Sequence, residues 1–157
     1  MSDVLQLDRT DKRILHELQR NARITNQELA DKVGLSPSPC LRRVKALEDA
    51  GLILGHVTLL DAKKLGLSLM ALVQVSMDKH TPERFANFES AISACPEVLE
   101  CLLITGQAAD YQIKVVVPDM DAYQQFLLGK LTQIEGVTGV HSSFVLRKVV
   151  NHNALPV

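Results

Sequence analysis

Asn26 to Lys45, NQELADKVGLSPSPCLRRVK, decides how the first part of this 157-residue chain folds. It reads as a short helix, a glycine turn and a second helix with a basic outward face. Thr25, followed three residues later by Glu28, forms a capping box. Side chains there satisfy two amide donors that a helix start otherwise leaves unpaired. Leu29, Ala30 and Val33 fall at helical spacing and make the buried stripe. Gly34 follows, where a left-handed residue suits a helix end.

The second helix carries the chemistry. Ser36-Pro37-Ser38-Pro39 offers two serine caps, each followed by a proline suited to the first helical position. Proline disfavours a helical residue before it, which places the expected cap at Ser38. At roughly 100° per residue, Cys40, Val44, Leu47 and Gly51 gather on one side. Ser38, Arg42, Lys45 and, at the flank, Pro39 gather on the other, with Arg43 at the boundary. Between Ser36 and Lys45 the cations Arg42, Arg43 and Lys45 face no acidic residue. A helix that buries one side and shows serine and arginine near its N-terminal end meets the needs of major-groove reading. Phosphates and base edges both accept hydrogen bonds, and arginine can contact guanine at two atoms. A solvated charged face gives a similar pattern on a lone helix. The capped helix and three-residue turn before it favour the helix-turn-helix, which is a geometry and not only a composition.

The run Asp8-Arg9-Thr10-Asp11, then Ile24-Thr25-Asn26, Glu28-Leu29-Ala30 and Val33-Gly34-Leu35-Ser36-Pro37-Ser38-Pro39-Cys40-Leu41-Arg42-Arg43-Val44, resembles the N-terminal domain of the leucine-responsive Lrp/AsnC (feast/famine) regulators. The similarity continues to the C-terminus and so covers nearly the whole chain. With the helix faces, it gives an expected DNA-binding set of Asn26, Ser36, Ser38, Pro39, Arg42, Arg43 and Lys45.

Composition narrows the classes. With 46% hydrophobic and 22% charged residues the chain is globular. A formal net charge of −1 does not suit binding nucleic acid by bulk charge. Attraction must be local, and several DNA-binding domains held together would raise affinity through effective concentration. Met1-Ser2-Asp3 is not the basic start of a signal peptide, and no run approaches membrane-spanning length. Cys40, Cys95 and Cys101 have no metal-type spacing and suit reduced thiols in a cytoplasmic protein. No metal or cofactor is expected.

Along the chain, a helix capped by Asp8, with Asp11 in its first turn and Ile14, Leu15 and Leu18 as its stripe, precedes the motif. Leu52 to Leu60 reads as one or two short strands turning near Gly55, which completes a winged helix. His56 there could touch a phosphate or be a plain surface residue. The expected division is 1–60 for DNA binding, 61–68 as hinge and 69–157 for effector binding and oligomerisation.

Leu69–Met77 is the first strand of the second part. Thr81-Pro82 caps a helix with Phe85, Phe88, Ile92 and Cys95 inward. Val98–Thr105 and Tyr111–Val117 form a hairpin around Gly106. Asp119 caps a helix with Tyr123, Phe126, Leu127, Leu131 and Ile134 inward; Gly136 closes it and Val137–Leu146 is the last strand. That order is α+β: a ferredoxin-like βαββαβ unit with both helices on one face of an antiparallel sheet. Tyr111, Ile113, Val115 and Val117 share one face of their strand. The first two strands are apolar on both faces, with Met70 and Leu72 beside Leu69 and Ala71, and Leu102 and Ile104 beside Cys101 and Leu103. Two helices cover one side only, so the other needs a partner, most simply an identical sheet. A homodimer follows, with palindromic operator half-sites from its symmetry. The resemblance adds tetramers or octamers.

Thr105 to Tyr111 joins the middle strands. A free amino acid needs an acceptor for its ammonium and donors for its carboxylate; Asp110 and the amides around Gly106 to Ala109 could supply them. A glycine hairpin with a solvated aspartate carries the same residues. The resemblance implies that such a loop lines an amino-acid pocket between protomers, for an effector such as leucine, and points to Gly106, Asp110 and Tyr111, with Gln107 beside them. His141, Ser142 and Ser143, polar on the last strand, either close that pocket from a neighbouring subunit or form an exposed strand face.

An enzyme is the main rival, since ferredoxin-like folds host catalysts too. The five histidines and three cysteines are scattered, with no phosphate loop or nucleophile elbow, and His80 beside Asp78 and Lys79 is the nearest approach to a cluster. An amino-acid-sensing module that binds no DNA is the third possibility. The serine–arginine face of the second helix argues against it. The leading expectation is a sequence-specific transcription regulator biased by a small effector.

Overall fold

The structure, a computed structural model, describes residues 6–106 and 108–157. The chain divides into two compact units: the first runs to Leu59 and takes back Val150–Val157, and the second is Leu60–Val149. The last eight residues thus group by contact with the first unit. The side chain of Gln19 holds them there, donating to the Leu155 carbonyl (3.1 Å) and accepting from its amide (2.6 Å).

The first unit packs three helices, α1 (Arg9–Arg20), α2 (Asn26–Val33) and α3 (Pro37–Asp49). Asp8 and Asp11 cap α1 reciprocally, and Thr25 and Glu28 do the same for α2. Gly34 ends α2 at φ +75°, the left-handed region that glycine enters without a Cβ penalty. Arg13 of α1 donates to the carbonyls of Lys32 and Val33, satisfying acceptors that the end of α2 leaves open. Ile14, Leu15, Leu29, Ala30, Val33, Cys40 and Leu47 close one apolar core. Cys40 is packing, fully buried.

Two expectations for this unit change. The cap of α3 is Ser36, two residues before the expected Ser38, and its side chain makes no capping bond. First-turn amides have no acceptor within their helix, so Pro37 and Pro39 forfeit nothing by standing there. The first amide to bond back is that of Cys40, to the Ser36 carbonyl. The expected hairpin also does not form: residues 53–60 hold no paired strand, and Leu54 is 96% exposed. A strand needs a neighbouring backbone for its amides and carbonyls, and this segment meets none within its own unit.

The second unit runs β1 (Leu69–Met77), α4 (Pro82–Ser93), β2 (Val98–Leu103), β3 (Tyr111–Val117), α5 (Met120–Gly129), a 3-10 turn (Leu131–Gln133) and β4 (Val137–Phe144). The sheet order is β2-β3-β1-β4, with every pairing antiparallel, the ferredoxin-like arrangement. Ala71, Val73 and Val75 of β1 and Tyr111, Ile113, Val115 and Val117 of β3 meet Phe88 and Ile92 of α4 and Tyr123 and Phe126 of α5 in the core. Gly136 does not close α5, which stops at Gly129; the tighter 3-10 turn instead brings Leu131 fully into the core. Gly136 leads into β4 at φ +95°, where a Cβ would collide with the Arg84 side chain.

The opposite face of the sheet carries Met70, Leu72 and Gln74 of β1, Leu102 of β2, Gln112, Lys114 and Val116 of β3, and His141 and Ser143 of β4, as the strand register places them. Both helices pack on the other side; on this face Val116 is buried at the end beside residues 60–68, Met70 and Leu72 are half-buried and Leu102 is exposed.

Candidate nucleic-acid interface and effector loop

α3 presents Ser36, Ser38, Arg42 and Lys45 to solvent. Among the described residues neither Arg42 nor Lys45 joins an ion pair. Pro39 is half-buried at the flank, against the side that carries Cys40. Arg43 departs from the expected set. Its Nη1 lies 2.7 Å from Asp8 Oδ2 and 2.7 Å from Asp11 Oδ1, tying α3 to the start of α1. The Asp11 amide and then this guanidinium hold the Asp8 carboxyl below its ordinary value. Arg43 thus buttresses α3, and its position at the edge of the helix face let it turn inward. Asn26 also works within the fold: its Nδ2 donates to the Pro37 carbonyl (2.8 Å), joining the starts of α2 and α3. One exposed side chain on the outward strip was missed, Leu41; its place between Ser38 and Lys45 on the helix was the available signal.

In the loop between β2 and β3, Gly106 takes φ +89° with open space where a Cβ would stand. Gln107 lies outside the described residues. The Asp110 carboxylate is engaged from two sides, accepting from the Met77 amide (2.7 Å) and lying 2.8 Å from His80 Nε2. Ser76 Oγ donates to the Ala108 carbonyl, so the loop is fastened to the end of β1. Each carboxylate oxygen can accept a further bond, so Asp110 retains capacity for a ligand ammonium.

Tyr111 does not face the loop. It is buried under α4, where its hydroxyl donates to Glu89 Oε1 (2.8 Å), and burial followed by that carboxylate pushes its pKa up. Alternation along β4 also separates its three polar residues. His141 and Ser143 stand on the open face opposite Gln74 and Leu72, whereas Ser142 points to the helices and bonds the Tyr123 hydroxyl. Among the described residues of the expected set, His141 alone lines one shallow hollow of about 430 Å³ beside the loop, with Gln74, Ser76, Ala108 and Ala109. His80 and the Met77 amide were not anticipated; they are reached through strand register, which no local motif marks.

A helix-turn-helix with an exposed cationic face and a sheet unit with a loop-edged hollow are the architecture of a DNA-binding transcription regulator with a ligand-binding domain. Residues 7–53 match the winged helix-turn-helix DNA-binding family, and residues 70–155 match the Lrp/AsnC ligand binding domain. Leucine-responsive regulatory protein of Klebsiella pneumoniae is 42% identical over 95% of this chain and 90% of its own length. The Bkd operon transcriptional regulator of Pseudomonas aeruginosa is 43% identical over 96% and 98%. A transcriptional regulator from Neisseria meningitidis, solved as an L-Met complex, superposes with a TM-score of 0.92 at 42% identity, covering 96% of this chain and 97% of that one. The chain belongs to the Lrp/AsnC family of transcription regulators.

Proposed function

We propose that this regulator reads palindromic DNA through the Ser36, Ser38, Arg42 and Lys45 face of α3, and that an amino acid biases its assembly. The observation that carries the DNA assignment is a helix face whose two cations are exposed and, among the described residues, join no ion pair. The helix-free sheet face, with Met70, Leu72 and Leu102, supports a homodimer. Tetramers or octamers would build on it through further surfaces, and residues 61–68 would serve as the hinge. A cytoplasmic location suits this role, and no described helix is long and apolar enough to cross a membrane.

The relatives named for leucine and solved with L-Met support an apolar amino acid as effector. In this reading Asp110 accepts the ammonium beside Gly106, and His141 borders the hollow. Effector binding acts through unequal affinity for the assembly states. Asp110→Asn isolates the charge, because the amide oxygen can still accept from Met77. Titration calorimetry with leucine and with methionine should show the variant binding about 10- to 150-fold more weakly, as expected for a lost hydrogen bond to a charged group. Equal affinity in both proteins would leave Asp110 as a loop fastener only.

A further inference from the structure

We infer that Leu41 is a base-reading residue that packs against the 5-methyl group of a thymine in the major groove. The inference rests on the assignment of the outward face of α3 to DNA. Leu41 is 57% exposed although its helix neighbours Cys40 and Leu47 are buried. It has no place in the apolar cluster of the first unit, where Leu35 and Val44 are the flanking members. On a helix it lies one turn after Ser38 and one turn before Lys45, within about 60° of each around the axis, and adjoins Arg42 in sequence. An apolar side chain is therefore held out at the edge of the strip formed by the donors Ser38, Arg42 and Lys45, about 100° round the axis from Arg42. The exposed Glu48 lies about two turns further along the same side.

That strip is chemically matched to one surface. Donors suit the phosphates and the acceptors on purine edges, and the thymine methyl is the apolar feature of the major-groove edge. A protein partner would need a wider apolar patch, and the exposed neighbours Ser38, Arg42 and Lys45 make this a single leucine among polar groups. Specificity from Leu41 would add to that from Arg42, since the two contact different base features.

The test uses the full chain and a duplex enriched by it from a randomised library. Each thymine is replaced in turn by deoxyuridine, which removes only the 5-methyl group, and affinities are measured for wild type, Leu41→Ala and Leu41→Met. The expected result is a position in each half-site where deoxyuridine weakens wild-type binding about 3- to 10-fold, the worth of a buried methyl contact. Leu41→Ala should be insensitive there, and Leu41→Met, which keeps an apolar side chain, should remain sensitive. A flat scan with wild type, or equal sensitivity in Leu41→Ala, overturns the assignment. If Arg42→Ala still loses affinity in that case, only the Leu41 inference fails. If wild type enriches no sequence, the DNA assignment of α3 fails with it.

Discussion

Leu72→Lys is expected to leave the chain monomeric in sedimentation velocity at micromolar concentration. It should also weaken binding to DNA carrying two half-sites by about 100- to 10,000-fold, the range that linking two binding events supplies. Leu72 stands at the centre of the helix-free sheet face, opposite Lys114 of β3 and Ser143 of β4. A lysine there adds a second cation beside Lys114, whose ammonium already pairs with Glu100 (3.1 Å). Pairing two such sheets would bury like charges, whereas in a monomer the new ammonium stays in water. The unit should therefore fold normally, and affinity for a single half-site should change little. A dimer that persists with this substitution would place the interface elsewhere.

Arg42→Ala is expected to weaken operator binding by about 1–3 kcal/mol and to relax base preference at one position per half-site. The side chain is exposed and joins no ion pair among the described residues, so its removal leaves none of their buried groups without a partner in the free protein. Competition between selected and random duplex separates the two roles of an arginine. An equal loss on both would make Arg42 a phosphate contact. Arg43→Ala is the informative contrast, because its guanidinium joins Asp8 and Asp11. That change should lower the thermal stability of the first unit while the bases selected stay the same.

What was legible in the sequence was mostly local. The Asp8 cap, the Thr25/Glu28 capping box, the glycine stop at Gly34 and the period-two pattern of Tyr111 to Val117 each involve residues within a few positions of one another. They specify helices and strands before any tertiary contact forms. The misplacements are of the opposite kind. Arg43 finds its partners 32 and 35 residues away, and Asp110 meets the Met77 amide 33 residues away. Such contacts depend on how whole elements dock. Residues 52–60 carry a strand-like composition, yet composition does not provide a neighbouring strand.

The β4 residues show a different limit. His141, Ser142 and Ser143 were read as one polar group, although alternation already separates the middle one from its neighbours. The strand pairing makes this concrete, with Ser142 bonded to Tyr123 and His141 opposite Gln74. Tyr111 follows the same rule: as the first residue of the buried face of β3, it was a core residue by its own periodicity, whatever its adjacency to the loop suggested.

Selection of duplexes from a randomised library by the full-length chain, followed by sequencing, bears most directly on how α3 and the sheet unit work together. The expected outcome is two inverted half-sites whose centres lie about one helical turn, roughly 10 base pairs, or a multiple of it, apart. Enrichment of no sequence, or of one asymmetric site bound by a single chain, would contradict it.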